Sequence, residues 1–476
     1  TLYDPDSARE SILVLPGGVT LGALPVPFGA VAASGAVEIL SAMDVWAPAG
    51  TVIIGERVTI RAAYGQNAAA PEGVYVYLGG AVTGHPTEIY GGAGDDAFFF
   101  DETLLGGHTL VYGSASAVAG APDGDDYFWV NRLQTMTGTH TAAPGDDFAG
   151  AEVRDALVLF GQGGDNTFFV QTWGSGDPDG HDYRIIVRGG GVRQGLNFLT
   201  VDGTDAADRF LFRPVAAIAE QPDAVRPAFV AVLGENDAVE RITYDAGINA
   251  RLTVNGYDGD DEFVFDGTTV LTTVYGGDGA DAFTVGQFFA APRIEPNVEP
   301  GDGFATVQTE LGSASPGILS PTTLYGGAGA DRFIVNGNGA ELRLEAGTGS
   351  DSFELRAVRL VTAGTPYRQN ALVSLDGGAD AATLTVRTAG AATDISFAAP
   401  VAPSTASRLS GGGLLVDVRH APAPVVVAAP FVASAPVGLP GDTVAPPVPL
   451  VIPLPVADPL AGTGKVIVVE ADESDA

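Results

Sequence analysis

Three stretches of the chain repeat one pattern, in which a glycine-rich turn is followed by an aspartate and then, two positions later, by a phenylalanine. They occupy residues 91–98, 276–283 and 326–333, and a fourth copy at 256–263 differs by one glycine. A short unit of this kind cannot bury its apolar side alone, so its recurrence indicates stacked repeats. This pattern constrains the fold more than any other feature of the sequence.

Short segments of alternating apolar residues follow these turns. Phe98 and Phe100 follow the first turn, and Phe283 and Val285 follow the second. A period of two residues places such side chains on one face of a β-strand. In stacked coils, equivalent strands lie about 4.8 Å apart. We therefore expect the phenylalanines to form a buried aromatic column.

Weaker copies of the turn extend the repeat, and thirteen anchor positions between residues 96 and 380 give a mean step of about 24 residues. That step lies within the range of known repeat architectures. Helical periodicity is nearly absent, and glycine and proline are too frequent for long helices. The predicted fold is all-β, a parallel β-helix or β-roll-like solenoid with coils of about 24 residues and Gly–Asp turns.

Three regions are expected from the pattern. Residues 1–86 lack the aspartate turns and are predicted to be N-terminal β coils or a cap. Residues 87–399 are the predicted solenoid. Residues 400–476, rich in Pro, Val and Ala, are predicted to be an extended arm, either a linker or a segment that docks on a neighbouring subunit.

The negative charge of the chain indicates which classes of ligand and partner it can bind. The formal net charge is −35, with one lysine and no cysteine. Such an anion repels nucleic acid and anionic lipid, and no apolar run reaches the roughly 18 residues of a membrane span. The acidity favours a divalent cation, for which calcium is the usual choice among oxygen ligands, or adaptation to a very salty medium.

The residues at 91–99, 276–284 and 326–334 resemble the calcium-binding nonapeptide of the RTX (haemolysin-type) family of secreted toxins, proteases, lipases, adhesins and surface-layer proteins. The resemblance implies that turn carbonyls and the carboxylate at the sixth position bind Ca²⁺ between stacked turns. RTX arrays repeat every nine residues, whereas the closest copies here are about 20 residues apart. We therefore expect one side of each coil at most to carry the turn.

Carried over by position, the resemblance implies sixth-position carboxylates at Asp96, Asp126, Asp261, Asp281, Asp331 and Asp351. With the neighbouring acids, the predicted calcium ligands are Asp95, Asp96, Asp125, Asp126, Asp165, Asp260, Asp261, Asp278, Asp281, Asp331 and Asp351. The alternative for each turn is that glycine supplies a positive φ and aspartate closes an Asx-turn without metal. We expect this metal-free form at weaker copies such as Asp208 and Asp237.

The expected function is that of a calcium-stabilised structural protein, extracellular or on a bacterial cell surface, which forms a surface layer, filament or adhesin stalk by self-assembly. An enzyme is not expected, because the chain has no Cys nucleophile, Gly-x-Ser-x-Gly or His-Glu-x-x-His motif. The five histidines show no zinc-ligand spacing. Cell-surface polysaccharide is a further expected partner. The alternative is a β-helix lyase or epimerase acting on polyuronates, with Arg184, Arg188 and Arg193 as candidate uronate contacts, although an ordinary exposed arginine cluster is the preferred interpretation of these three residues.

Overall fold

The fold is taken from a computed structural model. It describes residues 12–15, 19–22, 30–41, 43–64, 72–114, 124–141, 152–190, 195–216, 225–294, 302–358, 360, 371–378, 380, 382–388, 396–398, 406–411, 414–420, 425–427, 435–440 and 442. These residues form β-strands, turns and one 3₁₀ turn, Glu235–Asp237, and contain no α-helix. The all-β prediction is therefore confirmed.

Two long sheets contain most of the strands. Sheet I has 16 strands, in the spatial order Val19–Gly22, Val37–Leu40, Val58–Arg61, Thr87–Gly92, Thr109–Ser114, Leu157–Phe160, Tyr183–Arg188, Val239–Tyr244, Ala228–Leu233, Arg209–Pro214, Glu262–Phe265, Ala282–Val285, Arg332–Val335, Ser352–Ala357, Thr383–Thr388 and Val425–Val427. Sheet II has 14, in the order Ser396–Ala398, Ser407–Gly411, Leu414–Arg419, Val373–Asp376, Leu342–Thr348, Thr322–Ala328, Thr272–Asp278, Arg251–Asp258, Phe198–Asp202, Thr167–Gln171, Tyr127–Asn131, Ala97–Asp101, Tyr75–Leu78 and Val45–Ala47.

Three smaller sheets complete the described strands. Sheet III contains Ile12–Leu15, Ala30–Ala33, Val52–Ile54, Ala81–Thr83 and Leu104–Leu105. An antiparallel pair joins Thr139–Thr141 to Glu152–Arg154, and an antiparallel trio contains Phe288–Phe289, Gly312–Ala314 and Val307–Thr309.

The chain passes repeatedly from one long sheet to the other, and each such pass is called a coil. Most neighbouring strands within the two sheets pair in parallel. In the strands Ala97–Asp101 and Tyr127–Asn131, for example, Phe98 lies opposite Phe128. Parallel pairing between successive passes of the chain is consistent with a β-helix or other solenoid-like fold. The strands of residues 1–86 are shared between the two long sheets and sheet III, and they continue directly into the later strands, since Val58–Arg61 pairs in parallel with Thr87–Gly92.

The core lies between the sheets and follows their length. Strands such as Ala97–Asp101 bury every second side chain. Most of the buried apolar side chains form one contiguous cluster that extends from Val31 to Val418, with three smaller clusters beside it. Burial of this kind is the main stabilising contribution in a repeat fold, because each coil covers the apolar surface of its neighbours.

The buried phenylalanines form two columns, whereas the sequence predicted one. The first column lies in sheet II and contains Phe98, Phe128 and Phe168, with ring centroids 4.9 and 4.8 Å apart. The second lies in sheet I and contains Phe210, Phe263, Phe283, Phe333 and Phe353, at 4.9, 4.8, 4.8 and 5.0 Å. Each column occupies the strand that follows the turn, and that strand changes sheet along the chain.

The length of a coil varies because some coils carry insertions. Asp261 and Asp281 occupy equivalent positions in adjacent coils 20 residues apart, as do Asp331 and Asp351. Asp281 and Asp331 are 50 residues apart, because the antiparallel trio lies between them. The predicted mean step of about 24 residues therefore averages short coils with interrupted ones.

Part of the predicted arm packs against its own chain. Asp442 lies 2.7 Å from Arg213 and 2.8 Å from Arg293, and the backbone N–H of Val437 donates to Gln287 Oε1 at 2.6 Å. Both arginines and Asp442 are at most 2 % exposed. This buried ion-pair cluster fastens residues 435–442 to the outer face of sheet I.

Close stacking of the coils explains the glycines of the turn. Gly329 has a φ of 143°, and a Cβ added there would lie 1.7 Å from the carbonyl oxygen of Gly279 in the preceding coil. Only glycine fits such a close backbone approach.

We expect Gly329→Ala to reduce the free energy of unfolding by at least about 2 kcal/mol, because it adds a clash to an unfavourable φ. Urea denaturation followed by circular dichroism measures the change. Gly176→Ala is the control, since nothing lies within 4 Å of a Cβ at that position. Equal effects of the two substitutions would contradict the role of close stacking.

Candidate metal-binding turns

Asparagine and aspartate side chains join successive coils in two ladders. In each ladder, the backbone N–H of one residue donates to the side-chain Oδ1 of the equivalent residue in the next coil. The first ladder runs through Val74, Asp96, Asp126, Asn166, Asn197 and Asn249, with N···O distances of 2.8–3.2 Å. The second runs through Asp208, Asp261, Asp281, Asp331 and Asp351, at 2.7–3.0 Å.

The two ladders lie on different edges of the fold. Asp96 follows a strand of sheet I, Thr87–Gly92, and precedes a strand of sheet II, Ala97–Asp101. Asp281 follows a strand of sheet II, Thr272–Asp278, and precedes a strand of sheet I. The turn motif therefore changes edge along the chain, which also explains the two phenylalanine columns.

Six of the predicted ligands lie in the ladders, namely Asp96, Asp126, Asp261, Asp281, Asp331 and Asp351, and all are at most 2 % exposed. Sequence reasoning missed Asp208, which was expected to be an isolated metal-free turn. It also missed Asn166, because the neighbouring Asp165 was taken as the ligand. The available signal was the spacing to the phenylalanine two positions later, Phe168 and Phe210.

Four other predicted ligands lie outside the buried row. Asp95, Asp125, Asp165 and Asp260 are exposed, each one residue before a ladder position, and each accepts a backbone N–H from an adjacent coil at 2.7–2.9 Å. The remaining one, Asp278, is exposed, and its backbone carbonyl accepts from Gly259 N–H. These acids make the turn surface negative without joining the buried ladder.

The second carboxylate oxygen is buried in four successive aspartates of the second ladder. In Asp261, Asp281, Asp331 and Asp351, Oδ2 is buried without a hydrogen-bond partner. A Cβ placed on Gly276 would lie 2.1 Å from Asp281 Oδ2 and 2.6 Å from the carbonyl oxygen of Gly326. Asp281 Oδ2 and the carbonyl oxygen of Gly326 are both hydrogen-bond acceptors, and they face the same small space. Asp281 Oδ2 receives no hydrogen bond there.

The asparagines occupy the equivalent positions in the first ladder and show what such a space requires. Asn166 Nδ2 donates to the carbonyl of Gly163 at 2.9 Å, and Asn197 Nδ2 donates to the carbonyl of Gly247 at 3.0 Å. The amide thus supplies hydrogen-bond donors where the aspartates supply an acceptor. An aspartate in this position needs a proton or a cation.

The pKa values of the aspartates in the second ladder also show that their carboxylates are buried without enough hydrogen-bond donors. Burial raises the pKa of Asp261 to about 8, of Asp331 to about 7 and of Asp281 to about 6. The backbone N–H that each accepts opposes the shift, and neighbouring carboxylates add to it. Burial also raises the pKa of Asp208, although backbone N–H groups of Ser175 and Thr204 and the Thr204 hydroxyl donate to its carboxylate and oppose the shift.

The donor set fits a hard cation. Buried carboxylate and carbonyl oxygens that converge on one space, with no donor between them, are the groups that calcium prefers. The residues that would hold it are Asp261, Asp281, Asp331 and Asp351, with the carbonyls of the adjoining turns. Calcium binding at any predicted ligand stays a prediction.

Two of the three arginines of the enzyme hypothesis lie among the described residues. Arg184 and Arg188 lie on the strand Tyr183–Arg188, both partly exposed. Arg188 Nε is 3.6 Å from Asp245 Oδ2, so its charge is turned toward an acid of its own chain. Arg193 lies outside the described residues.

No protein-family model matches the chain, and no curated protein matches it at a significant level. Among the described residues, no helix is both long and apolar enough to cross a bilayer.

The raised pKa values predict how stability depends on pH in the absence of metal. A folded-state pKa above the unfolded value of 3.8 means that protonation favours the fold. This contribution is complete below about pH 4 and is lost as pH rises through about 6 to 8. In a chelator, we expect the thermal midpoint to fall between pH 5 and 9.

The variant with Asp261, Asp281 and Asp331 all changed to Asn is the control for this pH dependence. It should show a much smaller fall, because its amides do not titrate in this range. An identical pH profile in the variant would contradict the assignment to these carboxylates.

The asparagine comparison gives a second prediction. In a chelator at pH 8, Asp281→Asn should raise the free energy of unfolding by about 1–3 kcal/mol, because the amide supplies the missing donor. Urea denaturation tests this, with Asp278→Asn as the exposed control in the same turn, which should change stability by less than about 0.5 kcal/mol. A loss of stability in Asp281→Asn would show that Oδ2 needs no donor.

Proposed function

We propose that the chain is a calcium-stabilised structural solenoid that works outside the cell or on a bacterial surface, as part of a layer, filament or adhesin stalk. In this proposal the fold is a parallel β-helix whose later Gly–Asp turns bind Ca²⁺. The ion neutralises the buried aspartates and thereby stiffens the stack of coils.

One observation carries the proposal. Four successive buried aspartates, Asp261, Asp281, Asp331 and Asp351, each leave an oxygen without a partner, and in the first three this oxygen lies near a backbone carbonyl of the adjacent coil. A plain Asx-turn explains Oδ1, which accepts a backbone N–H, but it does not explain why a second oxygen is buried next to other acceptors. Asparagine would satisfy the same ladder, as it does at Asn166 and Asn197.

The charge of the chain supports an ionic role for these turns. The chain has a net charge of −35, and the acids of its turns lie along the coil edges. Like charges in adjacent coils therefore repel one another across about 4.8 Å. Divalent ions between the coils would relieve this repulsion directly. Monovalent salt would only screen the exposed carboxylates, because buried charges are poorly screened.

A calcium titration of thermal stability tests the proposal. At about 100 times its dissociation constant, calcium should add roughly 2.7 kcal/mol for each occupied site. We expect the midpoint in calcium at pH 8 to exceed that in EGTA by many degrees, and the increment to shrink in the Asn triple variant. Magnesium and high sodium chloride are the controls.

The outcomes separate three explanations. A midpoint that rises equally in sodium chloride and in calcium would indicate a halophilic protein, whose acids serve hydration. If calcium leaves the thermal midpoint unchanged while the pH dependence remains, the aspartates bind no calcium. They would then be protonated turn residues. If calcium stabilises the chain, electron microscopy in calcium and in EGTA should show whether ordered assemblies depend on the ion.

A further inference from the structure

A second cluster of ligand-type side chains lies away from the aspartate ladders. It consists of His108, His140 and Asp155, whose ligand atoms all lie within 4.8 Å of one another. His108 directly precedes the strand Thr109–Ser114 of sheet I. His140 and Asp155 belong to the antiparallel pair Thr139–Thr141 and Glu152–Arg154 and its continuation. The antiparallel pair thus brings His140 and Asp155 next to His108, although His140 is 32 positions after His108 and Asp155 is 15 positions after His140.

The geometry of the cluster is close to that of a metal site. His140 Nδ1 lies 2.9 Å from Asp155 Oδ1, and the two imidazole rings stack with centroids 4.1 Å apart. Ligands at about 2.0–2.1 Å from a tetrahedral zinc ion lie about 3.3 Å from one another. The His140–Asp155 pair lies slightly inside that distance, and all three ligand atoms lie within 4.8 Å of one another, so one ion could reach all three after side-chain adjustment.

A buried oxygen without a partner provides an independent indication of a ligand. Asp155 is 1 % exposed, and its Oδ2 has no hydrogen-bond partner. His108 is 8 % exposed, and its Nδ1 accepts the backbone N–H of Ala156 in a long hydrogen bond of 3.4 Å. That bond leaves Nε2 of His108 as the nitrogen available to a metal. His140 is partly exposed, which gives an ion a path from solvent.

The protonation state of His108 suits a ligand. Burial, together with the neighbouring His140 and Arg184, lowers its pKa to about 4, while Asp155 opposes the shift. The imidazole is therefore neutral near pH 7, and neutral imidazole is the form that binds metal ions.

We propose that His108, His140 and Asp155 bind a transition-metal ion, Zn²⁺ above all, where the antiparallel pair Thr139–Thr141 and Glu152–Arg154 meets the strand Thr109–Ser114. Two imidazoles and one carboxylate are the ligands that zinc accepts, and three protein ligands leave the fourth position to water. The bound ion would fasten the antiparallel pair Thr139–Thr141 and Glu152–Arg154 to the start of the strand Thr109–Ser114. This site is separate from the calcium turns, which offer only oxygen ligands.

Zinc titration of the full chain by calorimetry tests the proposal. Excess calcium in the buffer keeps Zn²⁺ off the acidic turns. The wild-type chain should bind one Zn²⁺, and His140→Ala and Asp155→Asn should each weaken binding by at least about 10- to 100-fold. Co²⁺ in place of Zn²⁺ should give visible absorption bands in the wild type that are absent from His140→Ala.

His420→Ala is the matched control, because His420 Nδ1 also contacts an aspartate, Asp376, at 2.7 Å but lies exposed without a second histidine. It should bind zinc as the wild type does. If Asp155→Asn fails to fold by circular dichroism, His140→Ala decides the matter. Zinc binding that is absent from the wild type, or unchanged in His140→Ala, would reduce the cluster to a stacked histidine pair.

Discussion

The hydrogen bond from a backbone N–H to the Oδ1 of an aspartate or asparagine in the next coil is the constraint on which the rest of the structure depends. It recurs at nearly every coil from Val74 to Asp351 and sets the register between coils at their edges. Register in a parallel sheet is otherwise specified only by the alternation of buried and exposed residues. With the edge fixed, equivalent phenylalanines must face one another, and the columns follow.

The same ladder creates the conflict that gives the later turns their chemistry. A carboxylate has two acceptor oxygens, and the ladder satisfies one of them. Asp96 and Asp208 satisfy the other with a backbone N–H, and Asn166 replaces it with an amide. From Asp261 onward neither solution is used. Asp261, Asp281, Asp331 and Asp351 therefore each keep one buried oxygen that receives no donor.

Much of this arrangement could be predicted from the sequence. The spacing of Asp281 and Phe283 was enough to predict a turn, a strand and a buried aromatic stack, because each rests on local geometry. The change of edge could not be predicted, because a period of two shows which residues face inward but not which of two similar sheets a strand joins. The cluster of His108 with His140 was equally hidden, since a long insertion separates the residues and their contact depends on how it folds back.

The buried ion-pair cluster at Asp442 has a mechanical consequence. The chain leaves sheet I at Val425–Val427, yet Asp442 binds Arg213, six strands away in that sheet, or about 29 Å along the stack. The described residues 435–440 and 442 thus tie together parts of the chain that belong to different coils, in addition to the contacts that each strand makes with its immediate neighbours. Tension along the stack would therefore act on the arginine–aspartate contacts as well as on the strand pairing.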